Sequence, residues 1–168
     1  MTISVRAFGT PAETYSLSDT LSVAPGNPVT LSPNDIAVLA VEAYPSDMMV
    51  EPPTGWRAVG GGVVNTHPNS EGLETFAVIF VREGDLGVNP TEIVASHEAG
   101  YGWLKARIVG YAKDTEPGWS YFTEIQEYTY GENEITGTGL FLTLESNVTE
   151  APVQNLFNDF FDTELSLD

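Results

Sequence analysis

The side chains best suited to chemistry in this 168-residue chain are two histidines and 24 carboxylates, and there is no cysteine at all. His97-Glu98 opens like the zinc-protease pattern, in which two histidines one helical turn apart hold the metal and the glutamate acts as base. Position 101 is Tyr rather than His, and the local pattern is strand and turn, so that reading fails. His67, His97 and nearby acids have the donor types of a zinc site. Two histidines in a chain of this length more commonly serve as hydrogen-bonding groups, and no metal residues are expected. The acidic loop Glu83–Asp85 offers oxygens for weak Ca²⁺ binding but lacks the Asp-x-Asp-x-Asp-Gly pattern of a built calcium loop.

Covalent catalysis has no candidate, since Cys and Gly-x-Ser-x-Gly are both missing. Carboxylate pairs of the kind that hydrolyse glycosides are inevitable among 24 acids, so no single pair is informative. Gly60-Gly61-Gly62 has no helix behind it and no Lys-Ser/Thr after it. It therefore reads as a bulge or sharp bend rather than a phosphate loop. No catalytic residue and no cofactor is expected: the chain reads as a non-enzyme.

Six aromatics, Trp103, Tyr111, Trp119, Tyr121, Tyr128 and Tyr130, have the flat faces of a sugar-stacking platform. The competing expectation is that most of them cover core edges or an interface. Asn147-Val148-Thr149 matches a glycosylation sequon, but no secretion signal accompanies it. The charge balance narrows the partners. With 6 basic residues against 24 acidic, the formal net charge is -18. Such a surface repels nucleic acid, which is held by Lys and Arg on phosphates, and anionic membranes alike. No Lys or Arg occurs after Lys113. A solvated, aggregation-resistant surface explains this; a basic partner, a bound cation or a salty habitat are the sharper explanations.

These side chains must be positioned by strands. Residues 2–8 alternate, Ile3, Val5 and Ala7 against Ser4 and Arg6, as a half-buried strand does. The polar segment after it carries short strands expected at Thr20–Val23 and Val29–Leu31. Ile36 to Tyr44 is apolar on both faces, the pattern of a central strand covered on both sides. Met48-Met49-Val50 reads as a loop plug. In Pro52-Pro53-Thr54-Gly55, Pro53 suits position i+1 of a type I turn and Gly55 position i+3, delivering Trp56 to cap one end of the core. Leu73–Arg82 is the next strand. Thr91–His97 and Trp103–Ala112 look like an antiparallel pair turning at Gly100-Tyr101-Gly102, with Leu104, Ala106 and Ile108 on one face. Trp119–Tyr130 and Ile135–Glu145 make a long hairpin about the polar tip Gly131–Glu134, with Leu140, Leu142 and Leu144 on one face.

After Asn147 the period changes. Val153, Leu156, Phe157, Phe160, Phe161 and Leu165 recur at helical spacing, with Thr149 as N-cap and Pro152 in the first turn. The expectation is an all-β, antiparallel β-sandwich over residues 1–148 and a short amphipathic helix over 149–168. The helical stripe reads as an assembly interface, buried either on its own sandwich or on a neighbouring subunit. The N-terminus lacks the basic and apolar regions of a signal peptide. No apolar run approaches the ~18 residues a membrane helix needs.

Across Asp35–Tyr111 the order of features is that of a known group. "NDIAVLAVEAY", "PPTGWRAVG", "FAVIFVREGD" and "ARIVGYAKD" resemble β-sandwich virion proteins of tailed bacteriophages, of the head-decoration or minor-tail type. The resemblance covers roughly residues 30–114, and "PPTGW" is its most telling part. It implies a non-enzymatic structural role with a jelly-roll-like sandwich, and supplies no catalytic residues. A compact chain without repeats suits head decoration, with the major capsid protein or tail proteins as partners, a homo-oligomer (a trimer) as the assembled form, and the virion as its location. The alternative is a carbohydrate-binding, receptor-reading module of a tail fibre.

Overall fold

The computed structural model describes residues 3–26, 31–65, 73–84, 92–98, 100–113, 118–130, 135–146 and 149–155, and among them there is no helix. All strand pairs are antiparallel. The central sheet places β4 (Ile36–Tyr44) between β9 (Gly102–Lys113) and β7 (Thr75–Glu83), with β6 (Arg57–Val64) outside β7. On the far edge of β9, β1 (Ile3–Phe8) and β2 (Ala12–Ser16) pair one after the other. Gly9 bridges them by donating its N–H to Ile108 O at 2.7 Å.

The continuous apolar run of β4 results from its place. Residues 36 to 43 are all buried. Alternating strands need one wet face; β4 has none, because each face of the sheet carries its own core. On one face Ala37, Leu39, Val41, Phe80, Leu104 and Ile108 pack under a three-stranded sheet, β3 (Thr20–Val23), β8 (Ile93–Ser96) and β5 (Met49–Val50). On the other face Ile36, Val38, Ile79, Val109 and Tyr111 pack with Trp119 of β10 (Trp119–Tyr130) and with Leu140, Leu142 and Leu144 of β11 (Ile135–Ser146), and β12 (Thr149–Asn155) extends that outer sheet beyond β11. Each such fully buried Val, Leu or Ile contributes about 1.5–3 kcal/mol, so a double-sided core is where most of the stability resides.

The glycine run explains how the outer sheet approaches. Gly60 sits just past a register shift in β6, and a Cβ there would overlap the Thr123 side chain. A Cβ on Gly62 would stand 2.7 Å from Ile125 Cδ1. The expected bulge is present, and its glycines also let β10 lie close on the sheet. Asn65 and Thr138 then stitch β6 to β11. The Asn65 N–H donates to Thr138 Oγ1 at 2.7 Å and the Thr138 N–H to Asn65 O at 3.0 Å.

Three expectations change. First, β8 does not form a hairpin with β9: it pairs with β3 and β5 in the other layer, while β9 takes β4 on one edge and β1 and β2 on the other. Second, the turn before Trp56 is shifted by one residue. The Trp56 N–H donates to Pro53 O at 3.0 Å and Gly55 has φ of 82°, which places glycine at i+2, where a type II turn needs positive φ. Third, the helix expected from Thr149 is replaced by strand over Thr149–Asn155. The exposed edge of β11 offers a ladder that outweighs the apolar spacing, and Pro152 falls where the register shifts, on an edge strand that needs no N–H there. Val153 stands opposite Thr143; Leu156, Phe157, Phe160, Phe161 and Leu165 lie outside the described residues. So do the expected strand residues 29 and 30 and the hairpin tip 131–134.

Candidate functional site

Four polar groupings could carry function, and each is built by the sheet register. At the start of β4, Asp35 is buried. Its carboxylate accepts from Arg6 Nε at 3.2 Å and from the Ser32 N–H at 2.7 Å. This ties β1 to the turn that launches the central strand, as a structural latch.

Deeper in β4, the Thr75 hydroxyl donates to Glu42 Oε1 at 2.8 Å. A hydroxyl held by a carboxylate is the pairing that activates a nucleophile. Thr75 is fully buried and Glu42 nearly so, so nothing in solution reaches the oxygen pair. It satisfies two buried polar groups. The third grouping is His97, whose Nε2 lies 3.0 Å from Ser18 O. No carboxylate joins it, and no cluster of three or more His, Asp or Glu able to hold a metal exists among the described residues.

The fourth grouping is different in kind. On the face that also carries Val109 and Tyr111, β9 presents Trp103, Lys105 and Arg107, and the register sets Tyr15 opposite Trp103 and Tyr44 on its other side. The Tyr44 and Trp103 rings stack with centroids 6.2 Å apart. Lys105 Nζ lies 4.7 Å from the Trp103 ring centroid and 6.0 Å from that of Tyr15, and the Arg107 guanidinium sits 5.0 Å from the Phe8 ring. Contacts between cations and ring faces of this sort are worth about 0.5–1 kcal/mol each when exposed. Tyr15 is 50% and Phe8 44% exposed. The Tyr15 hydroxyl donates to Glu13 at 2.9 Å. Partial burial, that hydrogen bond and the Glu13 charge push its ionisation upward. Two of the six basic residues of the chain thus stand side by side among aromatic rings.

Comparison of the chain with protein-family models, with characterised proteins and with solved structures found no match.

The sequence-expected residues divide clearly. Of the six aromatics proposed for a sugar platform, Trp103, Tyr111 and Trp119 are buried, and Tyr121 packs against the core under β10. The side chains of Tyr128 and Tyr130 lie outside the described residues. Trp119 donates its Nε1–H to Asn34 O at 2.9 Å, closing the end of that core. Pro53 is buried, and Trp56, 7% exposed, belongs to the core beneath β3 and β8. There its ring packs among the buried side chains of that core. Phe8 and Tyr15 were missed. Both sit in segments that read as ordinary edge strands, and only the pairing of β1 and β2 with β9 brings them beside Lys105 and Arg107.

Proposed function

We propose that this chain is a non-enzymatic structural protein of a tailed-phage virion, a jelly-roll-like β-sandwich that decorates the head shell and stabilises it as a homo-oligomer. The observation that carries the reading is the resemblance across residues 35–111, whose segments fall on β4, β6, β7 and β9 of the central sheet. The described polar groupings support it from another side. The hydroxyl–carboxylate pair with the geometry for chemistry is sealed from solvent, and the remainder are latches or surface contacts. An acidic, cysteine-free exterior suits a protein exposed on a particle, where net charge discourages self-association.

The sugar-binding alternative draws on the half-exposed Tyr15 beside the Tyr44–Trp103 stack, a smaller patch than the six aromatics suggested. Immunogold electron microscopy on particles from the source lysate, with an antibody to this chain, separates the readings. Gold over the heads is the expected result. Label on tails or fibres transfers the role to receptor contact, and unlabelled particles overturn the virion reading.

A further inference from the structure

The free edge of the outer sheet is open to a further strand. β10 is its outermost strand, and twelve consecutive rungs join it to β11 without a register shift. Edge strands are ordinarily blunted by a bulge, a proline or a basic side chain, because an unpaired ladder recruits other strands. Other edges of this fold follow that rule. β6 and β12 each carry a register shift, β12 also has Pro152, and β3 and β5 are only four and two residues long. β10 has no bulge, no proline and no Lys or Arg. Its hydrogen-bonding groups can be assigned. The Thr138 N–H donates to Asn65 O and so points away from β10, which means that its rung partner Glu127 turns its own N–H and C=O outward. Alternation then gives Tyr121, Thr123, Ile125, Glu127 and Thr129 to the free edge, with no backbone partner there among the described residues. Phe122 on the outer face is half-exposed. So is Ile125, although it points inward at Gly62, because β10 overhangs β6.

We propose that β10 pairs antiparallel with β10 of a second copy, about a two-fold axis at Ile125. Residues directly opposite each other share a face of the sheet, and in this register the strand complements itself. Ile125 meets Ile125, Phe122 stands opposite Tyr128, and Glu124 stands opposite Gln126. The Gln126 amide already donates to Glu124 of its own strand, and its second N–H is the donor for the other copy's carboxylate. Glu127 falls opposite Thr123 and diagonal to Tyr121, where the Arg57 guanidinium lies 5.0 Å from the ring centroid. An acid of one copy thus approaches a base of the other. Moving the axis by one residue loses the match: at 124 the two Glu124 side chains oppose each other, and at 126 each Glu127 faces Ile125. The five outward-facing residues supply about ten hydrogen bonds between copies. Such a contact is isologous and closes at two copies. It concerns only how copies of the chain meet, and stands apart from the virion reading. A net charge of -18 on each copy opposes the approach, so the pair is expected to be weak in dilute solution and to tighten with salt. Amide exchange along β10 is then fast in the dilute chain and slows as concentration rises.

Sedimentation velocity of the full chain across a wide range of concentration, in about 0.15 M NaCl, tests this. Wild type is expected to pass from monomer to dimer. Glu127→Pro removes one outward N–H per copy and leaves the β11 ladder intact, and is expected to weaken association about tenfold or more. Glu127→Gln makes the same change of charge and is expected to stay within about fivefold of wild type. Register is read by cross-linking, which does not depend on how the proline variant folds. The chain has no Cys, so an equal mixture of the single variants Glu124→Cys and Gln126→Cys carries only the two introduced thiols. Mild oxidation is expected to give the mixed disulfide dimer, since opposed residues of a non-hydrogen-bonded pair lie about 4.5 Å apart at Cα. A monomer at every concentration overturns the proposal. So does equal weakening by Glu127→Pro and Glu127→Gln, which would assign the contact to charge alone. Association of Glu127→Pro at wild-type strength, or Glu124→Cys cross-linking to itself in preference to the mixed pair, overturns it as well.

Discussion

Tyr111 shows how a single buried atom sets a pH limit. Its ring is wholly enclosed beneath the outer sheet, and its hydroxyl has no hydrogen-bond partner among the described residues. Burial pushes its ionisation well above the ordinary value of 10.0. The folded chain therefore holds this proton where the unfolded chain releases it. Its contribution is intact below pH 10.0 and is lost as the pH rises above that value. Tyr111→Phe removes an unsatisfied hydroxyl at little cost in packing, and is expected to raise stability by about 1 kcal/mol. The same variant should extend the folded range to higher pH. Urea unfolding midpoints at neutral and alkaline pH check both, and a destabilised variant would show that the hydroxyl has a partner. Gly60 offers the opposite lesson. Gly60→Ala drives a methyl into Thr123, whose hydroxyl donates to Val59 O at 3.1 Å, and should cost about 1–3 kcal/mol. Gly62→Ala meets only the flexible end of Ile125 and should cost less, by the same urea measurement.

At the scale of elements, burial on both faces makes β4 the most protected strand. Amide hydrogen exchange is expected to be slowest at Val38 to Val41, which pair on both edges, and fastest along β10, an edge strand. Comparable rates in the two would contradict the layered packing. That β4 is central was legible in its unbroken apolar run, and the β10–β11 hairpin in its two alternating halves about a polar tip. Partner choice was not legible. Ile93–Ser96 is four residues long, and an apolar run that short carries no mark of which sheet it joins. The strand at Thr149–Asn155 was hidden by a competing signal, because Val153 continues the spacing of the Phe pairs after it. The polar latches were equally opaque, since Arg6 and Asp35 meet only through the fold. Tyr15 and Lys105 were silent for the same reason, their approach being a product of register.

For the whole molecule, charge and topology both matter. A net charge of -18 means that self-repulsion opposes the compact state at every distance the solvent does not screen. Raising NaCl shortens the screening length from about 30 Å at 0.01 M to about 3 Å at 1 M. The thermal midpoint is therefore expected to climb over that range, and a flat or falling profile would mean that the acids are already compensated in the fold.

The pairing of Ile3 with Lys113 has a consequence for how the protein is made. A ribosome emits about 5–20 residues per second, so the first strand waits on the order of 5–20 s for the ninth to be synthesised. Until then β4 lacks a neighbour on one edge, and the apolar faces meant for both cores are open to whatever else is nearby. The nascent chain is thus at its most adhesive midway through translation, and its many carboxylates are the means at hand for keeping neighbouring copies apart.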